Sequence, residues 1–126
     1  MAYNKYKNKK TIVDGIPFDS LKEARRYQEL KLLVRGGVIK DLELQPVFKL
    51  IPTIRTEQET LKEISYIADF KYYDCKKKRV IVEDVKSKGT KTRVYNLKKR
   101  LFILKYGEDY DFLEYMWYRK RHLADV

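Results

Sequence analysis

Tyr66-Ile67-Ala68-Asp69-Phe70 and Val80-Ile81-Val82-Glu83-Asp84-Val85-Lys86 are two strongly apolar stretches that carry charge where a strand would bury it. Side chains alternate with a period of two along a strand. Val80, Val82, Asp84 and Lys86 therefore share one face of the second stretch, and Ile81, Glu83 and Val85 the other. Desolvating an unpaired carboxylate or ammonium is costly. An acid and a base that end such a stripe point to a paired site, a metal, or both.

The two stretches read as strands over residues 66–74 and 79–86, joined by Cys75-Lys76-Lys77-Lys78 into an antiparallel hairpin. Upstream, residues 11–18 read as a tiny hairpin, because Asp14-Gly15 between apolar residues suits a type I′ turn. A helix follows, with Ser20 as N-cap and Glu23 three residues on. Glu23, Tyr27, Leu30 and Val34 line one face of it, and Gly36-Gly37 stops it. Residues 45–51 read as a first strand with Pro46 tolerated at its start, whereas residues 52–65 either extend a hairpin or form a short helical insertion. Between Lys91 and Tyr106, Val94, Leu97, Leu101 and Leu104 recur at helical spacing, with Gly107 as the stop. Residues 111–118 read as a last strand. The order is helix, three strands, helix, strand.

The chain has 126 residues, of which 44% are apolar and 37% charged, enough for one domain with a real core and too apolar for wholesale disorder. It is expected to form a single domain over 1–126, with a basic N-terminal arm at 1–10 and a flexible tail over about 119–126. No apolar run is long enough to span a bilayer, and the N-terminus lacks the apolar region of a signal peptide. The single Cys75 cannot form an intrachain disulfide. The cytoplasm is the expected compartment, that of a host cell if the chain is phage-encoded. Twenty-nine Lys and Arg against eighteen Asp and Glu give a formal charge of +11. A surplus of that size favours polyanions through counterion release, so nucleic acid is the leading partner. The bland alternative is a basic surface with no dedicated ligand. A membrane surface is disfavoured, because the basic residues are scattered among tyrosines with no amphipathic N-terminal helix.

Asp69, Asp84 and Lys86 fit a metal-dependent phosphodiesterase. Mg²⁺, or Mn²⁺ in its place, takes hard oxygen ligands and keeps several waters, and a lysine can orient a water and offset charge building on the phosphorus. If register allows, Asp69 and Asp84 face each other across the ladder. The alternative for Asp84 and Lys86 is a structural ion pair at a strand end. Glu83 points to the opposite face, as a solvated or pairing residue, and its position beside Asp84 leaves the motif register open by one. His122 in the tail and Cys75 in the lysine-rich turn are read as incidental. No Gly-rich phosphate loop, zinc spacing or serine elbow is present in the sequence.

An upstream acid, a gap and then acid-any residue-lysine, here Asp69 and Asp84-Val85-Lys86, resembles the PD-(D/E)XK nuclease superfamily. The closest likeness is to small phage and prophage proteins of that superfamily, described as Holliday-junction-resolvase-like. In them a Phe-x-Ser-x-x-Glu-Ala start, here Phe18-Asp19-Ser20-Leu21-Lys22-Glu23-Ala24, and a Gln-Pro strand, here Gln45-Pro46, precede the motif. The likeness spans about residues 12–107. It implies an α/β fold with a restriction-endonuclease-like core, a central mixed sheet flanked by helices. It further implies a Mg²⁺-dependent DNA endonuclease, with Asp69, Asp84 and Glu23 as metal ligands and Lys86 positioning water. Glu23 is equally a capping-box residue. Lys91, Arg93, Tyr95, Lys98 and Lys105 on the second helix would track DNA or else form a solvated face with Tyr95 roofing the core, and branched or flapped DNA is the expected substrate. Cutting two strands would call for a C₂ homodimer. The competing readings are an inactive DNA-binding protein of the same fold and a transposase-like cleavage subunit.

Overall fold

The structure is a computed structural model and describes residues 10–116. Most of the basic arm, the tail and His122 lie outside the described residues. Asp14 (φ 54°) and Gly15 (φ 75°) both take the left-handed backbone that a type I′ turn requires, and β1 (Thr11–Val13) folds onto β2 (Ile16–Phe18). The turn is tied to α1 (Leu21–Arg35) by Tyr27, whose hydroxyl donates to Asp14 Oδ2 at 3.0 Å and whose ring lies 5.0 Å from that of Phe18. Ser20 caps α1 as expected, its hydroxyl oxygen accepting the Glu23 N–H at 3.2 Å.

The remaining elements are β3 (Ile39–Leu44), β4 (Val47–Ile51), β5 (Ile54–Arg55), β6 (Thr60–Leu61), β7 (Ile64–Ile67), β8 (Phe70–Asp74), β9 (Arg79–Lys86), a short 3₁₀ turn (Lys88–Thr90), α2 (Arg93–Tyr106) and β10 (Tyr110–Met116). The main sheet runs β10-β9-β8-β3 and is mixed. β8 and β9 form the expected antiparallel hairpin, with Phe70 opposite Glu83. β10 lies parallel to β9, Tyr110 opposite Val80 and Glu114 opposite Asp84. Parallel neighbours need a crossover, and α2 supplies it. One core packs Ala24, Tyr27 and Leu30 of α1 against Phe70, Tyr72, Ile81 and Val85. The other packs Tyr95 and Phe102 of α2 against Phe48, Leu50, Tyr66, Ala68 and Val82. β9 is buried on both faces and divides its side chains between the two cores.

The structure departs from the sequence reading in several places. The first strand of the sheet is β3, ahead of Gln45. It pairs with β8 through a bulge between Lys40 and Glu43, where Asp41 takes φ 57°, and that bulge breaks the alternation a sequence reader looks for. The expected strand 66–74 is two strands, β7 and β8, and residues 52–65 resolve as a hairpin extension, with β5 paired to β6 and β4 to β7. The second helix begins at Arg93, after its N-cap Thr92, so Lys91 lies outside it. Gly107 ends it, and a Cβ there would collide with the carbonyl oxygen of Ile103. The aliphatic series Val94, Leu97 and Leu104 faces outward, while Tyr95 and Phe102 face the core. The aromatic series has helical spacing too, and it buries more area per residue.

Glu83 has no exposed surface. Its carboxylate is held by Arg26, with Nε at 2.7 Å and Nη2 at 2.9 Å, and by the Tyr72 hydroxyl at 2.7 Å. The Arg26 guanidinium in turn lies 3.9 Å from the centre of the Tyr115 ring. Of the two roles open to Glu83, pairing is the one found. Removing one partner of a buried pair leaves an uncompensated charge, so Arg26→Ala should cost about 3–5 kcal/mol in urea unfolding. Adding Glu83→Leu to that variant should recover part of the loss. Equal stability of Arg26→Ala and the parent would mean that the pair holds nothing.

Candidate active site

Asp69 sits at a break between two strands rather than in the middle of one. At that point the chain leaves the β4–β7 ribbon and enters the main sheet. The Ala68 N–H donates to Pro46 O at 3.1 Å, the Gln45 N–H to Asp69 O at 3.0 Å, and the Asp69 N–H to Glu83 O at 3.2 Å. Gln45, with φ 50°, makes the matching turn on the neighbouring chain. Backbone in this region is uncommon for a non-glycine residue, and here it lets two strands change partners side by side. The break frees the Asp69 side chain from strand alternation, and its Oδ2 accepts the Val85 N–H at 2.8 Å.

Asp84 is nearly buried and faces the α2 side of the sheet. The Tyr66 hydroxyl donates to its Oδ2. Burial, the charge of Asp69 and a proton shared with Asp69 all push the Asp84 carboxyl up, to about 8, against the opposing pull of Tyr66 and Lys86. Glu23, reaching from the first turn of α1, is pushed up to about 7 by burial and by the charges of Asp69 and Asp19, with Lys86 and Ser20 pulling it back. Asp69, Asp84, Glu23 and Lys86 thus act on one another across a single locus. A cleft of ≈ 220 Å³ opens there, lined by Phe18, Glu23, Gln45, Asp69 and Phe70 among others. Among the described residues no three Asp, Glu, His or Cys side chains form a ready-made metal cage. Mg²⁺ does not ask for one, since it is usually held by one or two carboxylates together with waters and substrate phosphate. The adjacent carboxylates Asp69 and Asp84 have that chemistry.

Lys86 is aimed by an aromatic ring. Its Nζ lies 4.1 Å from the centre of the Tyr95 ring, and the Tyr95 hydroxyl donates to Glu114 Oε2 at 2.7 Å. Glu114 also takes Lys91 at 2.9 Å and Lys99 at 3.0 Å. Although burial opposes it, these three donors hold the Glu114 carboxyl down to about 2. Of the residues expected on a DNA-facing side of the second helix, Lys91 and Tyr95 are therefore engaged inward, on Glu114. Lys105 donates to Lys49 O at 3.1 Å, while Arg93 and Lys98 flank the outward aliphatic series. The structure joins the four catalytic candidates and, of the DNA candidates, sets Tyr95 against Lys86, with Arg93 and Lys98 on the outer side of the helix.

Tyr66, Arg26 and Glu114 were not singled out from the sequence. Arg26 left a signal, since it falls three residues after Glu23 beside an apolar stripe, where an arginine needs a buried acid. Tyr66 left a weaker one, as a hydroxyl-bearing ring on the inward face just before Asp69. Glu114 left none, because its neighbour Asp84 is set by the parallel register of β10.

Carboxyls with raised pKa values hold protons in the folded state that the unfolded chain has already released. Stability from Glu23 and Asp84 should therefore fall as pH rises from about 4, near their ordinary values of 4.5 and 3.8, to about 8. Thermal denaturation in EDTA across that range should show the decline, and Asp84→Asn should flatten it. An unchanged pH slope in the variant would mean that Asp84 does not share its charge with the cluster.

No curated protein and no solved structure matches the chain. A family model does match, over residues 3–122, which takes in both helices and every strand described above. The chain accordingly belongs to the family described as "Protein of unknown function (DUF1064)".

Proposed function

We propose that the protein is a divalent-metal-dependent DNA endonuclease, selective for branched or flapped DNA. The observation that carries this reading is the meeting of Asp69, Asp84, Glu23 and Lys86 at the strand break, where burial and the charge of Asp69 raise the pKa values of both Glu23 and Asp84 and a cleft opens beside Glu23 and Asp69. Burial beside a like charge is expected where acids are assembled to receive a cation. Asp69 and Asp84 would hold Mg²⁺, with Glu23 close enough to Asp69 to feel its charge. When bound, the ion supplies charge stabilisation at the phosphate and a more acidic water.

The protein's own groups divide the remaining work. Lys86, seated on the Tyr95 ring, directs its ammonium protons toward the attacking water and the developing charge on the phosphate. Water adds to phosphorus, the bond to the leaving sugar oxygen breaks, the proton lost by the water passes to the carboxylate cluster, and the released sugar oxygen takes a proton from solvent water. Within that cluster Glu23, at about 7, is the group nearest half-protonation at neutral pH. Tyr66 holds Asp84 by its hydroxyl and excludes water from the α2 side. The net charge of +11 supports DNA as the polyanion, and cutting both strands would take a second copy.

Asp84→Asn keeps the volume of the side chain and the basic surface. It should abolish cleavage of branched and flapped DNA in Mg²⁺ while leaving DNA binding largely intact, and EDTA should stop the parent enzyme outright. Parent-like cleavage by Asp84→Asn, or nicking that survives chelation, would defeat the proposal.

Tyr95 offers a sharper test of Lys86. Tyr95→Phe keeps the ring under the ammonium and should retain most of kcat. Tyr95→Leu removes the ring and should lower kcat by about tenfold or more, with KM for DNA little changed, because a desolvated cation–π contact is worth about 2 kcal/mol. Equal kcat in the two variants would mean that the ring does not position Lys86.

A further inference from the structure

The outer face of α2 carries large apolar side chains that the fold leaves uncovered. Val94 is 64% exposed, Leu97 58% and Leu104 84%, with the half-buried Leu101 between them. Their spacing of three, four and three residues is that of a coiled-coil seam, with Val94 and Leu101 at a positions and Leu97 and Leu104 at d. Leu97, Arg100, Leu101, Ile103 and Leu104 line a shallow groove of ≈ 520 Å³. A continuous apolar stripe on a charged protein marks an interaction surface.

The flanks say what would cover it. Arg93 and Arg100, seven residues apart, run along one side of the stripe, and Lys98 and Lys105 along the other. α2 contains no acidic residue. A second copy of the chain would bring the same cations against these, and like charges facing one another at such flanks are destabilising. A bilayer is a poorer fit than a helix, because the patch is a groove and presents no exposed Trp or Phe. DNA phosphates would satisfy the cations but would cover the leucines with a charged backbone. From the seam spacing and the charge of its borders we infer that the outer face of α2 is a docking site for an acidic amphipathic helix of a partner protein. Apolar residues of that helix would enter the groove, and its carboxylates would pair with Arg93, Lys98 and Arg100. The surface lies on the side of α2 opposite Tyr95, so docking would leave Lys86 and the cleft open. The inference does not depend on the nuclease reading.

The test uses the full chain and a synthetic three-heptad peptide with Leu at a and d and Glu at e and g, followed by fluorescence anisotropy. Two control peptides replace Leu by Ser or Glu by Lys. The acidic leucine peptide should bind at least about tenfold tighter than either control, and more weakly as salt rises. Leu97→Ser/Leu104→Ser alters only exposed positions and should cost at least about tenfold in affinity, with the circular dichroism spectrum and Tm of the parent. Arg93→Glu/Arg100→Glu should reverse the preference toward the lysine peptide. Equal binding of the serine control would reduce the effect to bulk charge and overturn the inference, as would indifference to the leucine variant. Leucine-dependent self-association in sedimentation equilibrium would assign the face to a second copy instead. Leucine-dependent loss of binding to anionic vesicles or to duplex DNA would assign it to those surfaces, and each of these results also overturns the acidic-helix partner.

Discussion

Two acids stand next to each other on the most buried strand of the molecule, and everything at the site depends on their facing opposite ways. Glu83 turns toward α1, where Arg26 and Tyr72 supply donors to both of its oxygens. Asp84 turns toward α2, where it meets a tyrosine hydroxyl and a second carboxylate. A slip of one residue in β9 would exchange these environments, taking each acid away from the partners that hold it. The bidentate fork of Arg26 is selective for planar carboxylate geometry. It therefore fixes the register that keeps Asp84 beside a second carboxylate with its charge poorly compensated, and the stability of one face sets the environment of the other.

The central hairpin was readable from sequence because its signals agree: apolar alternation, a lysine-rich turn and Asp74, whose side chain accepts the N–H groups of Lys76 and Lys77 in the turn. The cap of α1 and the β1–β2 turn were readable for the same reason, each being decided by two or three neighbouring residues. What escaped was set at a distance. β3 was hidden by its bulge, and the division of β7 from β8 depends on Gln45 and Pro46, more than twenty residues upstream. The inward face of α2 was misjudged because two residue series share the helical period, and only packing against Phe48 and Tyr66 chooses the aromatic one. The acids and the lysine of the site could be named from sequence. Their supports, Tyr66, Tyr95 and Arg26, come from elements that sequence order does not place together.

The same separation explains how the chain uses its charge. Several of its lysines are spent internally: Lys91 and Lys99 on Glu114, Lys49 on Glu63 and Lys105 on a backbone carbonyl. Net charge alone therefore overstates the surface offered to a polyanion. The cations of α2 that border leucines belong to a different kind of surface from Lys99, which pairs with Glu114 on the inward side of the same helix.

The parallel register of β10 against β9 has a consequence for the way the protein is made. β8 and β9 are joined by a short turn and can pair as soon as both have left the ribosome. The far edge of β9 must then wait for the whole of α2 and for β10, its partner from Tyr110 to Met116. During that interval an apolar strand displays unpaired backbone to any other nascent chain, the situation in which sheets add to one another indiscriminately. Lys76, Lys77 and Lys78 on one flank and Lys86 on the other surround the exposed stretch with like charge, which is how natural sequences discourage such association. On this view Lys86 protects the young chain from its neighbours before the ring of Tyr95 is in place beneath it.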